Sequence, residues 1–235
     1  MPRFFANPAD ITDNHVLLDT ETLSHLRVLR LRPDETFTIC DGAGTDYICT
    51  LDGTQANIIA SAPNEAEPRT DCAVYLAYTR GERMDYAIQK SVEMGATRIV
   101  LFPSERCVAK YEDKALPKKR VRFEKIAEEA AKQSGRGRIP PVETLGSFKA
   151  AMQDAARADC PLFFYEEEQD RTLRAALAGN PSSVALVIGP EGGFSQQEAE
   201  LAAELGLQSV TLGKRILRCE TAPVAALAGV LFYLE

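Results

Sequence analysis

In the first 70 residues, apolar and polar positions alternate in short runs at 36–40, 46–51 and 55–60, the two-residue period of half-buried strands. Turn residues separate the runs, at Asp41-Gly42-Ala43-Gly44 and at Asp52-Gly53. One short helix fits 20–28. The pattern predicts a small β-barrel-like module rather than a β-α-β unit. A polar, proline-flanked stretch at 63–69 closes it and divides the chain into domains at 1–70 and 71–235.

From Cys72 onward the period changes. Compact apolar runs predict strands at 74–78, 98–102, 161–165, 184–188 and 209–212. Between them, helical periods cover 84–94, 118–133, 147–158, 173–178, 195–205 and 221–234. Local signals agree with these limits. Gly95 suits the position just past a helix end, and Pro140-Pro141 blocks continuation of the second helix. Ser195 followed by Glu198 reads as a capping box. Strands alternating with helices predict an α/β domain whose mainly parallel sheet is covered on both faces.

Open sheets of this kind bind ligands beyond the carboxyl ends of their strands. Three loops meet that description: Glu166-Glu167-Glu168, Gly189-Pro190-Glu191-Gly192-Gly193, and the stretch from Leu212 to Ala222. The glycines allow close backbone approach, but Pro190 removes a donor and no phosphate-loop or dinucleotide motif is present. Exposed peptide groups beside apolar residues suit an adenine and an amino-acid moiety; an ordinary tight turn fits as well. The last loop places Arg215, Arg218 and Glu220 among apolar Ile216, Leu217 and Ala222. Charges held there form either an ion-pair lock or a working site, because burying them unpaired costs several kcal/mol.

Composition narrows the function classes. Apolar residues make up 45% and charged residues 26%, as in an ordinary globular chain. No apolar run approaches the ~20 residues of a membrane span, and the first ten residues lack the apolar core of a signal peptide, so a cytoplasmic location is expected. The six cysteines are scattered without a C-x-x-C pair, and His15 and His25 are the only histidines. The thiols read as free and mostly buried, and no metal site is predicted. His25 reads as a structural or surface histidine, with RNA contact as the alternative. A net charge of -7 argues against nucleic acid, but between Arg106 and Arg138 eleven basic residues face five acidic ones. A smaller basic cluster is Arg27, Arg30 and Arg32. Such runs mark either a solvated helix face or an RNA surface.

Several segments, in order, resemble one known family. They are Gly189 to Ser195 (GPEGGFS), Leu212 to Ala222 (LGKRILRCETA), Arg80-Gly81-Glu82-Arg83-Met84-Asp85, Ser104-Glu105-Arg106-Cys107, the run from Glu128 to Arg136, Met1 to Phe5, and His25 to Arg30. Together they resemble the 16S ribosomal RNA (uracil-N3) methyltransferases of the SPOUT superfamily across nearly the whole chain. Cys219 stands where relatives more often carry threonine, and Arg80 where they often carry lysine.

The resemblance implies a PUA-like β-barrel for RNA, followed by a SPOUT α/β domain whose last segment is threaded into a trefoil knot. It implies S-adenosyl-L-methionine as methyl donor. The donor would be held by Tyr165 and Glu166, by Ile188, Gly189, Pro190, Glu191 and Gly192, and by Leu212, Gly213, Ile216, Leu217, Thr221 and Ala222. The substrate implied is a decoding-region uridine of 16S rRNA, within the assembled small ribosomal subunit, and the active form a homodimer. Methylating N3 requires the base to be unpaired and presented to the donor. Arg218 is then expected to stabilise negative charge on the base, with Glu220 fixing its side chain. RNA contacts are expected from Arg3, Arg27 and Arg30 on the small domain and from Arg106, Lys110, Arg136 and Arg138 on the large one. The competing readings are another SPOUT enzyme, acting on tRNA or a ribose 2′-hydroxyl, and a non-catalytic RNA-binding assembly factor.

Overall fold

The computed structural model describes every residue except Pro33, Lys110 and 112–115. The described chain divides into two compact units: unit 1 is Met1–Glu67 with Ala131–Ile139, and unit 2 is Pro68–Ala130 with Pro140–Glu235.

Unit 1 is built on β1 (Arg3–Phe5), β2 (His15–Leu17), α1 (Thr20–Leu29), β3 (Thr36–Cys40), β4 (Thr45–Asp52) and β5 (Gln55–Pro63). The sheet order is β1-β3-β4-β5-β2; β1 runs parallel to β3 and the other pairs are antiparallel. The helix and the three longer strands fall where the periodicity put them. β1 and β2 are additional, because three residues are too few to show a period. The Asp19 side chain caps α1 by accepting from the Thr22 N–H at 2.7 Å. Phe4, Val16, Leu26, Phe37, Ile39, Cys49 and Ala56 form the core.

The 131–139 segment belongs to unit 1 because its backbone and side chains are tied there. Glu67 accepts from the Arg136 guanidinium at 2.7 Å and from the N–H groups of Gly137 and Arg138 at 3.0 and 2.9 Å. Asn64 donates to the Gly135 carbonyl at 3.0 Å and to Asp46 at 2.9 Å. Arg136 is only 3% exposed. Its expected contact with RNA is therefore corrected: the guanidinium is an internal strut, and it stands in unit 1 rather than with the large domain.

Unit 2 runs β6 (Asp71–Ala77), α2 (Glu82–Glu93), β7 (Arg98–Phe102), α3 (Leu116–Ser134, whose last residues join unit 1), β8 (Val142–Thr144), α4 (Phe148–Ala155), β9 (Cys160–Phe164), α5 (Leu173–Ala176), β10 (Ser183–Ile188), α6 (Gln196–Glu204), β11 (Gln208–Val210) and α7 (Ala222–Leu234). The six strands are all parallel, in the order β11-β9-β10-β6-β7-β8. α7 packs on β10 beside α2 and α5, while α4 and α6 pair with each other and α4 also meets β10. Every residue of β9 is buried, and so are the last five of β10, which is why both strands read as unbroken apolar runs. The core centres on Tyr75, Phe102, Met152, Phe163, Val187 and Phe194. All six cysteines are free. No helix among the described residues is long and apolar enough to cross a membrane.

Breaking a buried ion pair by removing one partner costs about 3–5 kcal/mol. Glu67→Ala is expected to destabilise unit 1 by about that much, read as a lower unfolding midpoint for a probe placed in that unit. An unchanged midpoint would show that Glu67 is not its anchor.

Candidate active site

The pairing register brings Phe164 level with Ile188 across β9 and β10, and level with Val210 across β9 and β11. Three strands therefore end at the same height, and the loops that leave them emerge side by side. They enclose a cleft of about 710 Å³. That size falls in the ~300–1,000 Å³ range of small-molecule sites. Its wall is apolar at Ile188, Leu212, Ile216 and Leu217, and offers peptide groups at Gly189, Gly192 and Gly213.

Side-chain anchors hold the middle loop. Phe194, 1% exposed, stacks on Phe163 with ring centroids 4.3 Å apart. Gly193 has φ +65°, and a Cβ there would fall 1.7 Å from the Glu166 Oε1. Glycine thus serves both the left-handed backbone and the close approach of Glu166. The capping box at α6 is present: the Ser195 Oγ accepts from the Glu198 N–H at 3.3 Å, and Glu198 Oε2 accepts from the Ser195 N–H at 3.0 Å. The same Glu198 carboxylate accepts from the Ser104 hydroxyl at 3.1 Å and the Glu105 N–H at 2.9 Å. This draws the loop after β7 against the glycine loop, where the Arg106 guanidinium donates to the Gly192 carbonyl at 3.3 Å.

Charges on the wall are arranged in pairs. Glu191 Oε1 accepts from the Arg80 N–H at 3.1 Å and from the Arg83 guanidinium at 3.0 Å. Burial alone would raise the Glu191 pKa, but those two donors and the Arg83 charge outweigh it and hold the carboxyl below its ordinary value. Across the cleft, the Cys219 thiol donates to Glu220 Oε2 at 3.2 Å. Burial first, and the Glu220 carboxylate second, push that thiol up to about 12, so it is a neutral donor and not a nucleophile. Arg218 stands 4.0 Å from Glu220, with its side chain 80% exposed.

Of the residues expected at a donor site, Tyr165, Glu166, Ile188, Gly189, Pro190, Glu191, Gly192, Leu212, Gly213, Ile216, Leu217 and Ala222 line this cleft, as do Arg218 and Glu220. Thr221 does not. It precedes α7, and its N–H donates to the Arg218 carbonyl at 2.8 Å. Arg83 and Thr211 also line the cleft and were not among the expected site residues; Cys219, which stood out as a departure from the family's threonine, lines it too. Arg83 had a usable signal, since it opens the helix that follows the carboxyl end of β6.

The expected RNA contacts divide. Arg27, Arg30, Arg106 and Arg138 are exposed. Arg3 is engaged within unit 1, its two terminal guanidinium nitrogens each donating to Asp46 at 2.7 Å, which removes it from that surface. Lys110 lies outside the described residues. The His25 ring packs edge-on against Phe4 at 5.4 Å. Among the described residues, no group of three His, Cys, Asp or Glu is placed to hold a metal ion.

The all-parallel sheet, the separate β-rich unit and the cleft at three level strand ends occur in a chain whose sequence matches the RNA methyltransferases. A family model described as the RNA methyltransferase domain matches residues 66–231, and one described as the RNA methyltransferase PUA domain matches 18–59. The chain is 34% identical to the ribosomal RNA small subunit methyltransferase E of Mesomycoplasma hyopneumoniae, over 95% of this chain and 96% of that protein. It is 32% identical to the Bacillus subtilis protein of the same name, over 92% and 89%. The crystal structure of the Neisseria gonorrhoeae ribosomal RNA small subunit methyltransferase E, bound to S-adenosyl methionine, superimposes with a TM-score of 0.83 at 34% identity, covering 97% of this chain and 95% of that one. A Legionella pneumophila methyltransferase structure in complex with the same cofactor gives 0.81 at 27%, covering 97% and 96%. The chain belongs to the ribosomal RNA small subunit methyltransferase E family.

The depressed Glu191 pKa fixes the sign of one pH effect. Its contribution to stability is complete above the ordinary glutamate value of 4.5 and is lost as pH falls below that through the folded-state value. Glu191→Gln is therefore expected to flatten the acid limb of a stability–pH curve below 4.5. Parallel acid limbs for the two proteins would contradict this.

Proposed function

We propose that the protein methylates N3 of a uridine in the decoding region of 16S rRNA, within the assembled small ribosomal subunit in the cytoplasm, as a homodimer using S-adenosyl-L-methionine. The observation that carries the reading is the single cleft formed by three level strand ends. The cleft suits this donor. Apolar Ile188, Leu212 and Leu217 can cover an adenine, and the glycine loops bring peptide groups close. Glu166, Glu191 and Glu220 present carboxylates to a ligand that carries a sulfonium and an ammonium. When bound, the donor supplies an electrophilic methyl group.

The chain's own contribution is orientation and charge. Holding two reactants in near-attack geometry can account for ~7–11 kcal/mol of a barrier. The anchored loop from Ile188 to Ser195 provides that rigidity. Arg218 and Glu220 are assigned to the side of the cleft that meets the RNA. Arg27, Arg30, Arg106 and Arg138 are assigned to phosphates, to which their exposure suits them. The homodimer rests on α7, a wholly apolar helix whose Phe232 is 88% exposed and Tyr233 41%.

Mass spectrometry of nucleosides from 16S rRNA tests the proposal. A deletion strain is expected to lack N3-methyluridine at one decoding-region position and to regain it with the intact gene. A deletion strain that keeps the modified base contradicts the assignment.

A further inference from the structure

Methylation at N3 requires the uracil to lose its N3 proton, which places negative charge on N3 and on the two carbonyl oxygens. Such charge is best met by a cation already fixed in place, since no reorganisation is then needed as it develops. Three arginines line the cleft: Arg83, Arg215 and Arg218. They differ in how they are held. Arg218 is 80% exposed and stands 4.0 Å from Glu220. Arg215 is exposed. Arg83 is 3.0 Å from Glu191, which the Arg80 N–H fixes in turn at 3.1 Å.

They also differ in position. A second cavity, of about 510 Å³, adjoins the cleft and is lined by Arg80, Glu82, Arg83, Val108 and Glu191. Arg83 and Glu191 line both cavities, whereas Arg215 and Arg218 line the cleft alone. The Arg83–Glu191 pair is thus the wall shared by a donor-sized cleft and a neighbouring space. Of the five N–H donors of the guanidinium, one is used on Glu191, and no other acceptor among the described residues takes a hydrogen bond from Arg83. The remaining donors are available to a carbonyl-rich ligand.

We propose that Arg83 is a catalytic residue, the cation that stabilises the deprotonated target uracil, that the second cavity receives that base, and that Glu191 is the positioning residue for Arg83. This rests on the N3-uridine reading above and moves to Arg83 the role expected of Arg218 once the family resemblance had supplied the reaction. In the step, N3 gives its proton to solvent and its electron pair forms the new N–C bond. The carbon–sulfur bond breaks with its pair left on sulfur, so the anionic and sulfonium charges cancel. Arg83 donates to one carbonyl oxygen of the base while the charge is present, leaving the N3 lone pair open to the methyl group.

The test uses the full-length protein and small ribosomal subunits purified from a deletion strain. Single-turnover methylation is measured against pH, alongside donor binding by calorimetry and subunit binding by filter retention. Arg83→Ala is expected to slow methylation at neutral pH about 100-fold. It should also move the rise of rate with pH upward by about one unit, the effect of withdrawing one close opposite charge. Donor and subunit affinities should stay within about threefold of wild type, which also reports that the variant is folded. Arg83→Lys should recover part of the rate, and Glu191→Gln should slow methylation without the full Arg83→Ala loss. Arg218→Ala should weaken subunit binding and leave the pH profile in place. An Arg83→Ala variant with a wild-type rate and profile overturns the proposal, as does a loss explained wholly by weaker donor or subunit binding. If the wild-type protein yields no N3-methyluridine, the underlying reading fails instead; if it does so while Arg83→Ala is normal, only the role of Arg83 fails.

Discussion

Strand register is the constraint on which the site depends. Phe164, Ile188 and Val210 lie side by side across three parallel strands, so three loops far apart in sequence leave the sheet at one level. That pairing is enforced by burial. β9 is buried along its whole length and the last five residues of β10 are buried with it, and sliding one strand by a residue would turn every side chain to the opposite face. A core of stacked aromatics then carries the register into the loop: Phe194 lies on Phe163 and crowds Gly189, while Glu166 fills the space beside Gly193. Cleft shape is thus a consequence of core packing, not of the loop sequences alone.

Electrostatics follow the same logic of fixed partners. The carboxylates that matter for architecture are saturated. Glu198 accepts from Ser195, Ser104 and Glu105, and Glu67 from Arg136, Gly137 and Arg138. Those at the cleft are less fully met. Glu191 uses one oxygen for both of its donors, and its other oxygen has none. Saturated acids lock loops in place. Acids with spare capacity beside half-exposed arginines are where a ligand can be recognised.

Much of unit 2 was legible because its strands are continuous apolar runs and its helices carry their own stop signals. The capping box at Ser195 and Glu198, visible as a spacing, is present with both hydrogen bonds. β1, β2 and β8 were not legible, since three residues cannot display a period. The donor-side residues were legible through motif resemblance, whereas the glycine-loop pattern alone fitted an ordinary strand-to-helix turn better than a ligand site. Arg136 illustrates what one dimension cannot show. Its Gly-Arg-Gly-Arg setting reads as a flexible basic loop, yet Glu67, sixty-nine residues earlier, makes it a buried strut. Arg83 stands within a family motif, but its place on two cavities depends on where β6 ends relative to β10, which is a property of the sheet.

The claim that three loops make one donor cleft is tested most directly by amide hydrogen exchange with and without S-adenosylmethionine. Ligand binding is predicted to slow exchange together at 165–166, 189–193 and 212–220, with the loops responding over the same range of ligand concentration. Protection confined to one loop, or appearing in unit 1 instead, would contradict the account.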